Sequence, residues 1–430
     1  MQIAVAGAGY VGLTTSACLC ELGHTVTLVE IDPARLERLR RGDCPFYEPG
    51  LPDLLSRHLG TALRVTAELK EAVDGARMLF TCVGTPPRSS GAPDLSALWQ
   101  LLGDLRRIRT AAEPPILVLK STVPPGTNRQ AQRFMGRRFA VVSNPEFLRE
   151  GTAIQDFFQP DRVVVGGAST EAVRAVAELY ASIPAPLVLT GWEEAEMVKY
   201  ATNAFLALKV SFANEIAALA DALGADALAV LRGLGLDQRV GERFLAPGPG
   251  YGGSCLPKDL AALQWKARRL GVRLDLLPAA LQANLRQRER VLAKLGDVAG
   301  KRVAVWGLAF KAGTDDVREA ASLAIIPALL QRGAEVVAHD PEALANFARV
   351  CPSAGHPGLR LVDDPWEALA GADALLILTE WPLYKSASPA SIRAAMAGAL
   401  VVDARNLLDP AQAAAAGLRY RGVGRSAPQG

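Results

Sequence analysis

Read for apolar and polar alternation, the chain falls into three stretches of different character. Up to about residue 190, short apolar runs recur between segments with helical spacing: Ile3–Ala6, Thr25–Val29, Met78–Cys82, Ile116–Leu119, Phe139–Val142, Arg162–Val165 and Leu187–Leu189. Strands alternating with helices in this way predict an α/β layer built on a parallel sheet. From about Glu193 to Gly224 the chain is Ala- and Leu-rich and free of proline, which predicts a long helix; a second helical stretch is expected from Lys258 to about Leu295, with one proline at Pro278. Between them lies Pro247-Gly248-Pro249-Gly250-Tyr251-Gly252-Gly253, a loop stiffened by its prolines and bared by its glycines. At Gly300 the alternation restarts, with strands expected at Lys301–Trp306, Glu335–Ala338, Ala374–Leu378 and Leu400–Val402. The pattern is α/β, then all-α, then α/β: two doubly wound parallel-sheet domains over 1–191 and 300–420, a central helical domain over 192–299, and a frayed tail over 421–430. The two α/β parts share a pattern, not an alignable repeat.

Composition narrows this picture. At ~150 residues per domain, 430 residues accommodate about three. Half the residues are hydrophobic and 21% are charged, which excludes disorder or a collagen-like structure for the bulk of the chain. Lys and Arg number 47 against 44 Asp and Glu, a formal +3 that does not mark a nucleic-acid binder. Only ten of the 47 basic residues are Lys, so the Arg and Ala richness reads as a compositional bias. No apolar run approaches the ~18 residues of a membrane span, and Met1–Ala6 enters a strand without the basic start of a signal peptide. The six cysteines (18, 20, 44, 82, 255 and 351) include no CxxC and no Cys/His cluster, so neither a disulfide framework nor a metal site is expected, and reducing cytosol is the expected compartment. The four histidines show no catalytic pattern.

Chemistry concentrates at a few places. Gly7, Gly9 and Gly12 form GxGxxG at the junction of the first strand and helix, with Tyr10 and Val11 between. The first glycine permits a tight turn, the second lets backbone approach a pyrophosphate, and the third permits close helix–strand packing. Glu30, 18 residues past Gly12 at the end of the next strand, is placed to hold a ribose; its charge repels a 2′-phosphate and favours NAD over NADP. Cys255 precedes Leu256-Pro257-Lys258-Asp259 at an expected helix N-terminus, where the dipole lowers a thiol pKa. The glycines beside it are expected to let a substrate approach the main chain. Cys18, Cys20, Cys82 and Cys351 read instead as buried and inert. Lys199 and Asn203 stand four apart on the long helix and share a face. Asn144 and Pro145 are expected to open a helical turn that sets Glu146 and Glu150 on one side. Lys120-Ser121-Thr122-Val123-Pro124 ends a strand at the carboxyl edge, where open α/β sheets bind ligands.

GAGYVG (7–12), STVP (121–124), NPEFLREG (144–151), KYATNAF (199–205), PGPGYGGSCLPKD (247–259) and FKAGTDDVRE (310–319), in this order and spacing, resemble the UDP-glucose/GDP-mannose dehydrogenases over roughly residues 1–410. The resemblance implies two Rossmann-like domains around a helical dimer core, and a four-electron oxidation of a sugar C6 alcohol to a carboxylate with two NAD⁺. It carries the catalytic thiol onto Cys255, with Lys199, Asn203, Asp259, Glu146 and Thr122 as its companions. It assigns NAD to Gly7, Gly9, Tyr10, Val11, Gly12, Glu30, Arg35, Thr85, Thr122, Glu150, Lys258 and Arg318. The nucleotide sugar falls to Glu146, Phe147, Leu148, Arg149, Glu150, Lys199, Asn203, Arg239, Phe244, Leu245, Ala246, Pro247, Gly248, Tyr251, Gly252, Lys311 and Arg405. The 159–166 and 324–329 segments side with the family's UDP-glucose branch. Two residues depart from that branch: Leu256 stands where Phe is usual, as in the GDP-mannose branch, and Glu30 stands for Asp.

Overall fold

The computed structural model describes residues 1–109 and 113–425. Its contacts divide the chain into two compact units, Met1–Thr202 with Ala261–Val272, and Asn203–Leu260 with Arg273 onward.

The first unit is built on eight described strands: β1 (Gln2–Ala6), β2 (Thr25–Val29), β3 (Leu63–Thr66), β4 (Met78–Thr81), β5 (Ile116–Leu119), β6 (Val141–Ser143), β7 (Val163–Gly167) and β8 (Leu187–Thr190). Their order is β3-β2-β1-β4-β5-β6-β7-β8. The first six are parallel, as the alternation predicts. One pairing departs from this: β7 pairs antiparallel with β6, and β8 then runs with β7. Along β1 the side chains alternate between the sheet's two faces, Ile3 and Val5 joining one apolar cluster and Ala4 and Ala6 the other. Helix α1 (Tyr10–Glu21) has no polar stripe, and its residues from Gly12 to Cys20 are all buried. Helix α2 (Thr127–Met135) follows β5.

Helix α3 (Trp192–Leu223) is a continuous 32-residue rod, as its composition predicts. A short helix unannounced by the sequence pattern follows, α4 (Ala227–Gly235), capped by the Asp226 carboxylate on Leu228 N–H. The helical stretch expected from Lys258 to Leu295 is two helices, α5 (Leu256–Arg269) and α6 (Leu276–Leu295). The break falls at Gly271, which adopts φ 72° while Val272 N–H closes back on Ala267. Pro278 does not break α6; it lies in the first turn, where a missing N–H costs nothing.

The second unit carries β9 (Arg302–Trp306), β10 (Glu335–His339), β11 (Leu359–Leu361), β12 (Ala374–Ile377), β13 (Leu400–Asp403) and β14 (Arg419–Gly422), with helix α7 (Ser322–Gln331) between β9 and β10. The order is β11-β10-β9-β12-β13-β14 and every pairing is parallel. The tail expected from 421 is corrected: Arg421 and Gly422 pair within β14, and Val423 is buried. Residues 426–430 of that expectation lie outside the described residues.

Among the described residues no helix is long and apolar enough to cross a membrane, none of the six cysteines is in a disulfide, and no group of three His, Cys, Asp or Glu is placed to hold a metal ion.

Candidate functional site

The carboxyl edge of the first sheet carries the glycine turn. Gly7 adopts φ 99°, and a Cβ there would lie 2.9 Å from the Cys82 carbonyl. A Cβ on Gly12 would lie 1.8 Å from the Gly7 carbonyl. Gly9 differs: its φ of −74° suits any residue, and nothing lies within 4 Å of the Cβ it lacks. Neither backbone strain nor a protein neighbour requires glycine at Gly9. The space faces the uncapped N-terminus of α1, where a pyrophosphate meets N–H groups and a positive dipole. Glu30 is buried beside this turn, accepting from Ala8 N–H at 3.3 Å, from Asp32 N–H at 2.8 Å and from the Arg35 guanidinium at 3.1 Å. Thr85 donates to the Thr122 carbonyl at 2.9 Å, tying two expected cofactor residues together. These features fit NAD. Val11 opens α1 against the core, and the Tyr10 phenol, raised far above its usual pKa by burial and by its hydrogen bond to Glu48, also donates to the Arg149 carbonyl at 3.2 Å.

Past β6 the expected helical turn does not form. Residues 144–149 are extended loop, so Glu146 and Glu150 do not share a helix face. Asn144 is not a cap: its amide donates to Val164 O at 2.9 Å, and its carbonyl accepts from Lys120 Nζ at 3.0 Å and Tyr180 OH at 2.6 Å. The extended path turns Glu146 onto Lys199, whose Nζ lies 2.9 Å from Oε1, with both side chains buried. Burial pushes the Glu146 carboxyl up, but the Lys199 ammonium, the Leu148 N–H and the Lys120 charge outweigh it and hold the group below its ordinary value. The Phe147 ring lies under Lys199 at 5.4 Å and Arg162 at 3.6 Å. Arg149 is spent on a bidentate pair with Asp156.

In the second unit Cys255 immediately precedes α5, its carbonyl accepting Asp259 N–H at 2.9 Å. Ser254 Oγ lies 3.5 Å from its Sγ. Asp259, 1% exposed, accepts from Asn203 Nδ2 at 2.6 Å and from Lys258 Nζ at 2.6 Å. The fold itself requires the glycines beside the thiol. A Cβ on Gly252 would lie 2.4 Å from the Glu319 carbonyl, and one on Gly253 2.9 Å from the Phe310 ring. The protein's own 310–319 segment fills that space. By contrast, Cys18, Cys20, Cys82 and Cys351 are buried as expected, and burial pushes the Cys20 and Cys82 thiols up to about 12.

The same unit gathers other expected residues. Phe244 adopts φ 65°, a left-handed conformation costly for an aromatic residue, where the chain turns into buried Leu245, exposed Ala246 and buried Pro247. Arg405 is aimed by Leu378 O at 2.8 Å, Phe310 O at 2.7 Å and the Glu380 carboxylate at 3.0 Å, beside Gly248. Lys311 Nζ stands over the Phe310 ring at 5.5 Å. Tyr251 is buried. Arg239 is not brought to this cluster: it is exposed and paired with Asp237. Arg318, expected at the cofactor, pairs with Asp316.

Sequence reasoning missed two buried carboxylates. Glu48 accepts from Gly151 N–H at 2.5 Å and Ala153 N–H at 2.7 Å, anchoring the segment that carries Glu146. Glu196, one turn before Lys199, accepts from Gly126 N–H at 2.5 Å and Asn128 N–H at 2.7 Å, capping α2 beyond the Thr122 loop. Spacing on α3 could have pointed to Glu196; nothing local pointed to Glu48.

A doubly wound sheet with this turn and this acid defines a dinucleotide-binding protein. Three descriptions of the UDP-glucose/GDP-mannose dehydrogenase family match the chain: the NAD binding domain over residues 1–184, the central domain over 193–286 and the UDP binding domain over 304–410. The UDP-glucose 6-dehydrogenase of Pseudomonas aeruginosa is 45% identical, covering 99% of this chain and 98% of its own. A UDP-glucose dehydrogenase structure from Pyrobaculum islandicum superposes with a TM-score of 0.89 at 37% identity, covering 98% and 97% of the two chains. A UDP-D-ManNAc dehydrogenase structure from Pyrococcus horikoshii does so at 0.86 and 28% identity, covering 99% of each. The chain belongs to the UDP-glucose/GDP-mannose dehydrogenase family, whose members are NAD-binding nucleotide-sugar dehydrogenases.

Proposed function

We propose that this chain is a UDP-glucose 6-dehydrogenase that converts UDP-glucose to UDP-glucuronate. The observation that carries the reading is Cys255 at the start of α5, one helical turn from a buried Asp259 held by Asn203 and Lys258. Full-length identity to the Pseudomonas aeruginosa enzyme supports it. Gly7–Gly12, Glu30, Arg35, Thr85 and Thr122 would hold NAD⁺, and two NAD⁺ in turn would accept one hydride each in the two oxidations.

The chain's own groups do the rest. A carboxylate takes the C6 hydroxyl proton as the alcohol becomes an aldehyde. An aldehyde holds no leaving hydride until a nucleophile adds, so the Cys255 sulfur bonds to C6 and gives a thiohemiacetal. The second oxidation turns that adduct into a thioester. Lys199 and Asn203, one turn apart on α3, stabilise the oxyanions at C6. Water held by Asp259 then breaks the C–S bond, releasing the carboxylate and returning the thiol. The base that activates this water is Glu146 or Asp259, each a buried carboxylate paired with a lysine. Arg405 and Lys311 anchor the diphosphate. The chemistry needs a reduced thiol, which agrees with a cytoplasmic setting. Self-association through α3 accounts for its exposed Phe205, Phe212, Leu219 and Leu223.

The test is stoichiometry: two NADH per UDP-glucose, with UDP-glucuronate as product, and a sugar adduct on Cys255 in quenched samples by mass spectrometry. One NADH per sugar with accumulating aldehyde overturns the reading. Leu256 favours a second reading, a GDP-mannose 6-dehydrogenase or UDP-N-acetyl-mannosamine dehydrogenase using the same steps. Comparing kcat/KM for the three nucleotide sugars decides between them.

A further inference from the structure

The loop from Pro247 to Tyr251 has only three backbone N–H groups in five residues. Pro247 and Pro249 lack N–H groups, and no strand or helix includes the segment. Its backbone is held from outside by three buried side-chain amides. Asn214, on α3, accepts from Gly248 N–H at 2.8 Å; Gln287, on α6, donates to Gly248 O at 2.7 Å. Asn284, one turn earlier on α6, grips Tyr251 on both sides, accepting from its N–H at 2.8 Å and donating to its carbonyl at 2.9 Å. The three amides are 1%, 2% and 5% exposed for Asn214, Gln287 and Asn284.

The glycine between the clamped residues confirms how tight the grip is. Gly250 adopts φ 105°, and a Cβ there would sit 2.5 Å from Asn284 Oδ1. Clamp and glycine therefore fit one another. Amides suit this task because they can donate or accept and carry no charge, so the grip does not change with pH. On one side of the clamped segment lie Phe244, Leu245 and Ala246; on the other, Cys255.

We propose that Asn214, Asn284 and Gln287 are positioning residues that set the course of the Pro247–Tyr251 backbone, and with it the nucleotide-sugar loop and the reach of the Cys255 thiol. This rests on the reading of that loop as the nucleotide-sugar site. An extended recognition loop built from proline and glycine gains affinity by being fixed beforehand, and here the helices do the fixing.

The experiment compares Asn284→Ala and Gln287→Met with Ser211→Ala. Ser211 joins the same two helices through a hydrogen bond to Ala280 O at 3.2 Å, outside the Pro247–Tyr251 loop. UDP binding by calorimetry, KM for UDP-glucose and for NAD⁺, and iodoacetamide labelling of Cys255 by peptide mapping are measured on folded protein. In both clamp variants the Kd for UDP and KM for UDP-glucose rise at least tenfold, KM for NAD⁺ stays within twofold, and Cys255 labelling changes at least threefold. Ser211→Ala moves none of them. An unchanged Kd for UDP in the clamp variants, or an equal shift in Ser211→Ala, overturns the proposal. Gln287→Met removes one hydrogen bond at similar length and carries the test alone should Asn284→Ala not fold. UDP binding is read without oxidation, so the proposal can fail while the two-NADH stoichiometry holds, and the reverse.

Discussion

The two sheets begin alike and end with different capacities. Gly7 N–H donates to Val29 O at 2.9 Å; Gly307 N–H donates to His339 O at 2.8 Å, and the two glycines have φ of 99° and 101°. Cys82 N–H and Leu378 N–H close the next crossover on Ala6 O and Trp306 O, both at 2.8 Å. An acid, Glu30 or Asp340, follows the second strand of each. Beyond that the resemblance stops. Helix α1 starts three residues after Gly7, whereas α7 starts only at Ser322, after the segment carrying Lys311 and Arg318. Asp340 is fully buried and accepts from Leu308, Ala309, Glu342 and Ala343 N–H and from Trp381 Nε1. Glu30 takes three donors, one of them long. The same strand arrangement thus keeps a dinucleotide cradle in one sheet and converts it into a closed brace in the other. Fold alone does not assign the ligand; the helix start and the hydrogen bonds left to the acid do.

The strongest way to break this contrast is to remove the brace. Asp340→Ala leaves five donors unpaired, four of them buried, and costs about 3–5 kcal/mol of stability in chemical denaturation. KM for NAD⁺ in the folded fraction stays at the wild-type value, and a rise there would mean the second acid also serves the dinucleotide. The opposite outcome is expected of Gly9→Val. It fills space that only a ligand uses, so KM for NAD⁺ rises on the order of 100-fold, about 2.7 kcal/mol, with the melting temperature unchanged.

A smaller effect separates the carboxylates by pH. Burial pushes Glu196 from 4.5 up to about 7, against the N–H groups of Asn128 and Gly126. A carboxyl raised on folding contributes stability that is complete below the unfolded value and is lost as pH rises through the folded one. Between pH 4.5 and 7 this group alone lowers stability by up to about 1.4 kcal/mol per pH unit. Melting curves of Glu196→Gln against pH should lack that slope; an identical slope in both proteins assigns it elsewhere.

What the sequence made legible followed from local constraint. β1, the glycine turn, β2 and Glu30 sit within thirty residues, and each is required by the next. Cys255 and Asp259 are legible because helix geometry fixes their separation. The strands β3, β11 and β14 were not, because each is an edge strand with outward arginines (Arg64, Arg360, Arg419) that blur the apolar run. Proline misled once: Pro145 opens no helix, since Asn144 before it is held by Lys120, Val164 and Tyr180, all distant in sequence. Glu48 is invisible for the same reason, its bonds reaching across more than a hundred residues to Gly151 and Ala153.

The reversal of β7 and β8 has a consequence for delivery. Because β8 runs against the first six strands, the chain leaves it at the edge away from the glycine turn, where the Trp192 indole bonds Val141 O at 2.8 Å. Helix α3 must then climb the flank of the sheet, and about 10 Å of ascent carries it from Trp192 to Lys199. It arrives where β6 has just ended, in time for Lys199 to meet Glu146. Had the last two strands followed the others, the rod would have departed from the ligand-bearing rim, and its lysine would have been carried off into solvent.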